Sequence, residues 1–201
     1  MRASIRTLAL ALVGTSALLA SGCESGPQKT DAQKKEEKRS ELATNVQNAI
    51  TDFKNKKDGP GAKAFDGAYG YAVFPKVVKA GLVLAGFGGT GEVYEKGKLI
   101  GTSDLSGGSL GATIGGQSFV EIIFFETKGA LDRFTQDQFA FSAGASAVAG
   151  GSGGGTAIKY TNGVAVYVLD PNGLMLDAAI GGQNFAFKRT PAAAPKSDAK
   201  K

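Results

Sequence analysis

The segments "SFVEIIFFE" (118–126) and "GVAVYVLD" (163–170) are apolar on both sides of an extended chain. Side chains alternate between the faces of a strand. Phe119, Ile123 and Phe125 therefore share one face of the first segment, and Val120, Ile122 and Phe124 the other. Such a strand needs cover on both faces, so its sheet lies between layers or closes on itself. The 30 glycines among 201 residues show no collagen-like period and are about double the usual ~7% share. They fit turns and places of close backbone approach within β structure.

The rest of the chain follows this frame. "YGYAVF" (69–74) is a predicted strand ended by Pro75, and "AGLVLAGF", "TGEVYE" and "LIGTSDL" continue the β pattern with "KGK" as a turn. "PNG" (171–173) is a second turn, and "TKGALDRFTQ" (127–136) is a short predicted helix. Thr30 and Gln33 form a capping-box pattern, and Gly59-Pro60 is a helix stop, which together predict a helix over 31–58. Leu42, Val46, Ala49, Ile50 and Phe53 make one apolar stripe on it, with Lys38, Arg39, Asn45 and Asn48 read as turned away. Two roles stay open for Leu42, Val46, Ile50 and Phe53: packing on the domain's own sheet, or facing a membrane interface. "ATIGGQSF" (112–119) is echoed by "AAIGGQNF" (178–185), and 188–201 is a Lys/Ala/Pro tail expected to be disordered. The expected fold is α+β and predominantly antiparallel. It has a Gly-rich sandwich or barrel-like core over 69–187 and an amphipathic N-terminal helix packed against it, as one domain over 31–187.

Composition narrows the chemistry. Histidine is absent and Cys23 is the only cysteine, which removes Ser-His-Asp and Cys-His nucleophiles and the usual zinc ligand sets. No metal, cofactor or enzymatic activity is expected. "GFGGTG" (86–91) satisfies G-x-G-x-x-G, but "EVYEKGKLIG" follows it with β character and a turn. A dinucleotide fingerprint needs a helix there. A kinase glycine loop needs H-R-D and D-F-G, and the chain has neither. The formal charge of +5 is uneven: residues 59–187 carry eight Lys/Arg against ten Asp/Glu, and 188–201 carry five against one. A slightly acidic core argues against nucleic-acid binding.

The opening "MRASIRTLALALVGTSALLASGC" has a basic start, then an apolar run from Thr7 to Leu19 that suits a signal peptide over 1–22 and is too short to span a bilayer. Ala20-Ser21-Gly22-Cys23 resembles the lipobox of bacterial lipoproteins, with Ala where Leu is commoner. That resemblance implies acylation of Cys23, palmitate among the acyl groups, and a flexible spacer through 30. Glu24 rather than Asp after the cysteine implies the outer membrane of a Gram-negative cell, facing the periplasm. Several acyl chains on one residue, at ~0.8 kcal/mol per buried CH₂, make a lasting anchor.

Over roughly 42–187 the chain resembles the SYLF lipid-binding domain family. The resemblance rests on the striped helix, on "AYGYAVFPKVVKAGLVLAGFGGTGEVY", and on "GGSLGATIGGQSFVEIIFF" with its Gly-Gly-Gln element and following apolar strand. Family members often carry Trp and Pro before the second glycine segment, whereas "GTSDLSGG" has neither. The resemblance implies a module that binds phospholipid, with anionic headgroups as the expected partner. Lys76 and Lys79, by the match to Phe-Pro and Lys-Ala-Gly, join Lys54, Lys56 and Lys57 as candidate phosphate contacts. The alternative is a structural envelope lipoprotein acting through protein or cell-wall contacts, with lipid only as its anchor.

Overall fold

The computed structural model describes residues 29–56, 60–81, 84–110, 116–136, 140–141, 158, 160–170, 173–176 and 182–190. Residues 1–22, read from sequence as a signal peptide, lie outside the described residues, as do Cys23, Lys57, 191–201 and the first halves of both echo segments.

Helix α1 (Asp31–Asn55) begins where its capping box requires. Thr30 Oγ1 accepts the Gln33 N–H at 3.3 Å, and Gln33 Oε1 accepts the Thr30 N–H at 2.9 Å. It ends earlier than Gly59-Pro60 predicted, because Lys56 is already extended (φ −71°, ψ 121°). A short helix α2 (Ala62–Gly67), for which the sequence pattern gave no periodic signal, follows. The strands are β1 (Gly70–Gly81), β2 (Leu84–Glu95), β3 (Lys98–Leu110), β4 (Gly116–Phe125), β5 (Ala140–Phe141), β6 (Val164–Asp170), β7 (Gly173–Leu176) and β8 (Gln183–Arg189). Helix α3 (Lys128–Thr135) lies between β4 and β5, opened by Thr127, whose hydroxyl accepts the Ala130 N–H. All pair antiparallel in one sheet of order β5-β8-β3-β2-β1-β4-β6-β7.

The two-faced strands are covered as their pattern demands. On one face Val46, Ala49, Ile50 and Phe53 of α1 pack on Tyr71, Val73, Ile122, Phe124, Tyr167 and Leu169. On the other, Ala130, Leu131 and Phe134 of α3 pack among Ala72, Phe74, Phe87, Ile123, Phe125, Val166 and Phe185. Phe53 sits at the centre of the first cluster, 5.4–5.6 Å from the rings of Phe65, Phe124 and Tyr167.

The sheet is strongly curled around the α3 face. Strands β8 and β1 are three rungs apart, about 14 Å on a flat sheet. Yet the rings of Phe74 and Phe185 lie 5.7 Å apart. Four rungs separate β8 from β4, and still Gln183 Nε2 donates to Glu121 Oε2 at 2.9 Å, both residues being buried. Phe134 of α3 stands between them, its ring 4.9 Å from both Phe125 and Phe185. The α+β, antiparallel expectation holds, with the helix on the sheet. The core is one barrel-like curl rather than two stacked sheets, and among the described residues its edge strands β5 and β7 do not pair with each other.

Glycine permits this curl by close approach. At Gly91 a Cβ would press on the Val73 carbonyl and lie 2.7 Å from Phe74 Cδ1. At Gly107 it would run into the Phe87 ring and sit 2.6 Å from the Gly182 carbonyl. "GFGGTG" is therefore the middle of strand β2, with no helix start beside it.

Three expectations need correction. Pro75 does not end its strand: β1 runs on to Gly81 through a register shift between Val73 and Val78, and a bulge is where a residue without an N–H is tolerated. Lys188 and Arg189 belong to β8 rather than to the tail, opposite Thr102 and Gly101. Lys38 and Arg39 are not turned away from the sheet. They lie four and three residues before Leu42 and so share its face, where they line a groove against β2, β3 and β8.

Candidate functional site

Two concavities flank α1, one at each end. The first, about 500 Å³, lies where α1 stops above the bulge of β1. Its walls are Asp52, Asn55 and Lys56 from the helix end, Pro75 and Lys76 from the bulge, Ser118, Phe119 and Val120 from β4, and Leu169 from β6. The bulge shapes it. Past the register shift, Val77 points into the curl while Lys76 is exposed on the α1 side. The result is a rim with two ammonium groups, one carboxylate and an amide over a mostly apolar floor. Val78, paired in register with Ser118, stays 45% exposed beside it.

The five lysines singled out by sequence fare differently. Lys56 and Lys76, twenty residues apart, meet on the walls of this cavity. Lys54 is drawn aside, its Nζ 5.0 Å from the centroid of the Phe65 ring. Lys79 is in register with Phe87, which packs in the curl, so it leaves from the opposite face to Lys76. Lys57 lies outside the described residues.

The apolar stripe is also settled in place. Val46 and Phe53 are fully buried, Ile50 is buried and Leu42 packs at the cluster's margin. These four side chains face the sheet, which corrects the membrane-facing alternative: their apolar area is already removed from water. Among the described residues no helix is long and apolar enough to cross a membrane.

The second concavity, about 650 Å³, lies under the first half of α1. Asp31, Lys34, Lys35, Lys38, Arg39 and Leu42 face Thr90 of β2, Thr102 and Asp104 of β3, and Lys188 of β8 across it. Asp104 is held by Lys188 Nζ at 2.7 Å and by Thr90 Oγ1 at 2.8 Å. The Lys188 contact, aided by Thr90, keeps its carboxyl below the usual range against the opposing effect of burial, and Lys188 is raised in return. Sequence reading missed Lys34, Lys35 and Lys188. The first two were legible as helical neighbours of Lys38 and Arg39, but Lys188 needed the pairing of β3 with β8.

Between the two concavities lies a buried polar join. Tyr94 donates to Glu92 Oε2 at 2.6 Å, and Gln47 Nε2 reaches the same hydroxyl at 3.5 Å. Burial and the Glu92 carboxylate push the Tyr94 hydroxyl well above its ordinary value. Tyr160, at the edge of the α1 cluster, is pushed up to about 12 by burial and by Glu126.

No family model matches the chain. It is 36% identical over 129 residues to Beta cell expansion factor A of Aeromonas veronii, a match covering 63% of this chain and 49% of that protein. The chain thus spans about half the length of the curated relative it matches.

Proposed function

We propose that this chain is a SYLF-like module that acts by binding phospholipid, with a preference for anionic headgroups, and not by catalysis. The observation that carries the reading is the cavity at the end of α1. It sets Lys56 and Lys76 over Pro75, Phe119, Val120 and Leu169, a cationic rim above apolar walls that matches the two-part chemistry of an amphiphile. Exposed Val78 beside it extends the apolar side toward a bilayer. The resemblance of "AYGYAVFPKVVKAGLVLAGFGGTGEVY" to the SYLF pattern supports the same ligand class, and that segment builds the bulge carrying Lys76. In this reading Cys23 carries the acyl anchor, and the domain works on the periplasmic side of an outer membrane.

The test is flotation of the full chain carrying Cys23→Ser with vesicles of phosphatidylethanolamine, with and without 30 mol% phosphatidylglycerol. Preference for the anionic vesicles is expected, and Lys56→Ala/Lys76→Ala should weaken it. A lysine near an anionic surface contributes about 1 kcal/mol, so the pair is worth roughly 30-fold. Equal recovery with neutral and anionic vesicles would exclude headgroup recognition.

A further inference from the structure

The turn that opens β6 has only Asn162 and Gly163 between the bridged residues Thr161 and Val164. Both lie in the left-handed region, with φ of 54° and 79°. A two-residue loop with two positive φ values follows the twist of its strands, and Asn-Gly is the pair that adopts it with least strain. The same pair is chemically labile, because glycine leaves the peptide nitrogen after asparagine unshielded by a side chain. The geometry of the turn thus fixes a reactive dipeptide at the surface, with Asn162 exposed.

Its neighbours make it more so. Arg133 of α3 donates from Nη2 to the Asn162 carbonyl at 3.1 Å. That carbonyl and the Gly163 N–H belong to one peptide group. Loss of the N–H proton puts negative charge largely on the Asn162 oxygen, the atom the guanidinium already faces. A hydrogen bond between two charged groups is stronger than one with a neutral acceptor, so Arg133 favours the anion. The Gly163 N–H has no acceptor among the described residues. Glu126 opposes the effect, its Oε2 standing as near as Arg133 Nη2 to the place of a Gly163 Cβ, 4.0 Å. It holds the turn through its own N–H, which donates to the Gly163 carbonyl at 2.9 Å, and the direct bond to the reacting peptide is the one from Arg133. Thr161 and Val164 exchange bonds of 2.9 and 3.1 Å, which must open for the nitrogen to reach the side chain. Openings at such chain reversals are among the least costly in a fold.

We propose that Asn162 is a site of spontaneous deamidation promoted by Arg133. The Gly163 nitrogen, its proton given to solvent hydroxide, attacks Asn162 Cγ. The new N–Cγ bond closes a succinimide ring, and the Cγ–Nδ2 bond breaks to release ammonia. Water then opens the ring at either carbonyl and leaves aspartate or isoaspartate, so the sum is amide plus water to carboxylate plus ammonium. In the isoaspartyl product the main chain runs through the side-chain carbons and is longer at position 162. A two-residue loop cannot take up that length and keep both Thr161–Val164 bonds. Arg133 and the Glu126 N–H tie this turn to the start of α3, so the reaction loosens β6 from that helix as the protein ages.

The test holds the full chain carrying Cys23→Ser in mildly alkaline buffer and samples it over days. Fragment-ion mapping of peptide 160–188 follows Asn162 and, in the same molecule, the second Asn-Gly pair at Asn172-Gly173. Labelling with an isoaspartyl methyltransferase counts the rearranged product. Asn162 should convert to both forms. Arg133→Gln should slow that conversion about fivefold, equivalent to ~1 kcal/mol in the barrier, and Arg133→Lys should restore part of the rate. Asn172 should keep one rate in all three proteins, which separates loss of the cation from a general loosening of the chain. Conversion at Asn162 as fast or faster in Arg133→Gln would overturn the role of the arginine. Asn162 left intact in the folded chain over a period in which the urea-unfolded chain converts would overturn the site itself.

Discussion

The two halves of α1 are one continuous helix with two unlike reasons for existing. Leu42–Asn55 is held by burial: Phe53 and Val46 have no exposed surface, and the helix would not sit on the sheet without them. Asp31–Glu41 is held by local interactions, namely its capping box, the Lys29–Glu37 pair at 2.7 Å and the looser Arg39–Glu36 contact at 3.8 Å. Exposed pairs of this sort contribute a few tenths of a kcal/mol each. One helix face thus serves stability in one half and leaves a charged space in the other, with the change at Leu42.

The contrast can be broken most sharply at Phe53. Phe53→Ala should destabilise by about 3–5 kcal/mol, read as a lower urea midpoint, because it empties the centre of a ring cluster. Next comes the join between the halves. Tyr94→Phe leaves Glu92 buried without its 2.6 Å donor and should cost about 1–3 kcal/mol near neutral pH. The same hydroxyl sets an alkaline limit. A group whose pKa is raised by folding contributes stability that is complete below the unfolded value and is lost as pH rises through the folded one. With the unfolded value at 10.0 and Tyr71, Tyr94, Tyr160 and Tyr167 all raised, the parent's urea midpoint should fall above pH 10. Tyr94→Phe should fall less steeply there, and parallel curves for the two proteins would contradict the assignment.

Smaller effects belong to the polar half. Thr30→Ala removes a cap usually worth about 1 kcal/mol to its helix. The segment is not tied to the core, so amide exchange over 31–41 should quicken while the unfolding free energy from urea titration stays within about 0.5 kcal/mol of the parent's. A large global loss would mean that the first half supports the fold after all. Smallest is Asp104→Asn. The pair with Lys188 is exposed, so the melting temperature should change by no more than about 2 °C. The carboxyl is held low, so its contribution is present above its ordinary value of 3.8 and lost as pH falls below that. Parent and variant should converge in acid.

What was legible in the sequence follows from which forces are local. The capping box, the α3 start at Thr127, the Lys96-Gly97 turn and the two-faced strands were all readable, because neighbouring residues decide them. Lys96 and Gly97 have φ of 49° and 75°, as a tight hairpin requires. The meeting of Lys56 with Lys76 was only half legible: both were candidates, but nothing in the string says that a bulge at Pro75 turns Lys76 toward the helix end while Lys79 leaves from the other face. The groove was less legible still. Its roof lies in plain helical phase at Lys34, Lys35, Lys38 and Arg39, but its floor combines Thr90, Asp104 and Lys188, which only strand pairing brings together. The Glu121–Gln183 contact is of the same kind. Glu121 interrupts an otherwise apolar strand, and its partner is 62 residues away.

The pairing of β3 with β8 carries a consequence for biogenesis. Residues 101–107 bond to 183–189, so one margin of the central meander waits for the last strand to be made. Until β8 arrives, that margin offers free amides and carbonyls to any extended chain nearby. Synthesis delivers β8 after the strand it joins, so that margin stays open to such pairing until residues 183–189 are made. A deletion meant to remove only the tail must spare residues through Thr190, whose N–H closes onto the Ile100 carbonyl at 3.0 Å.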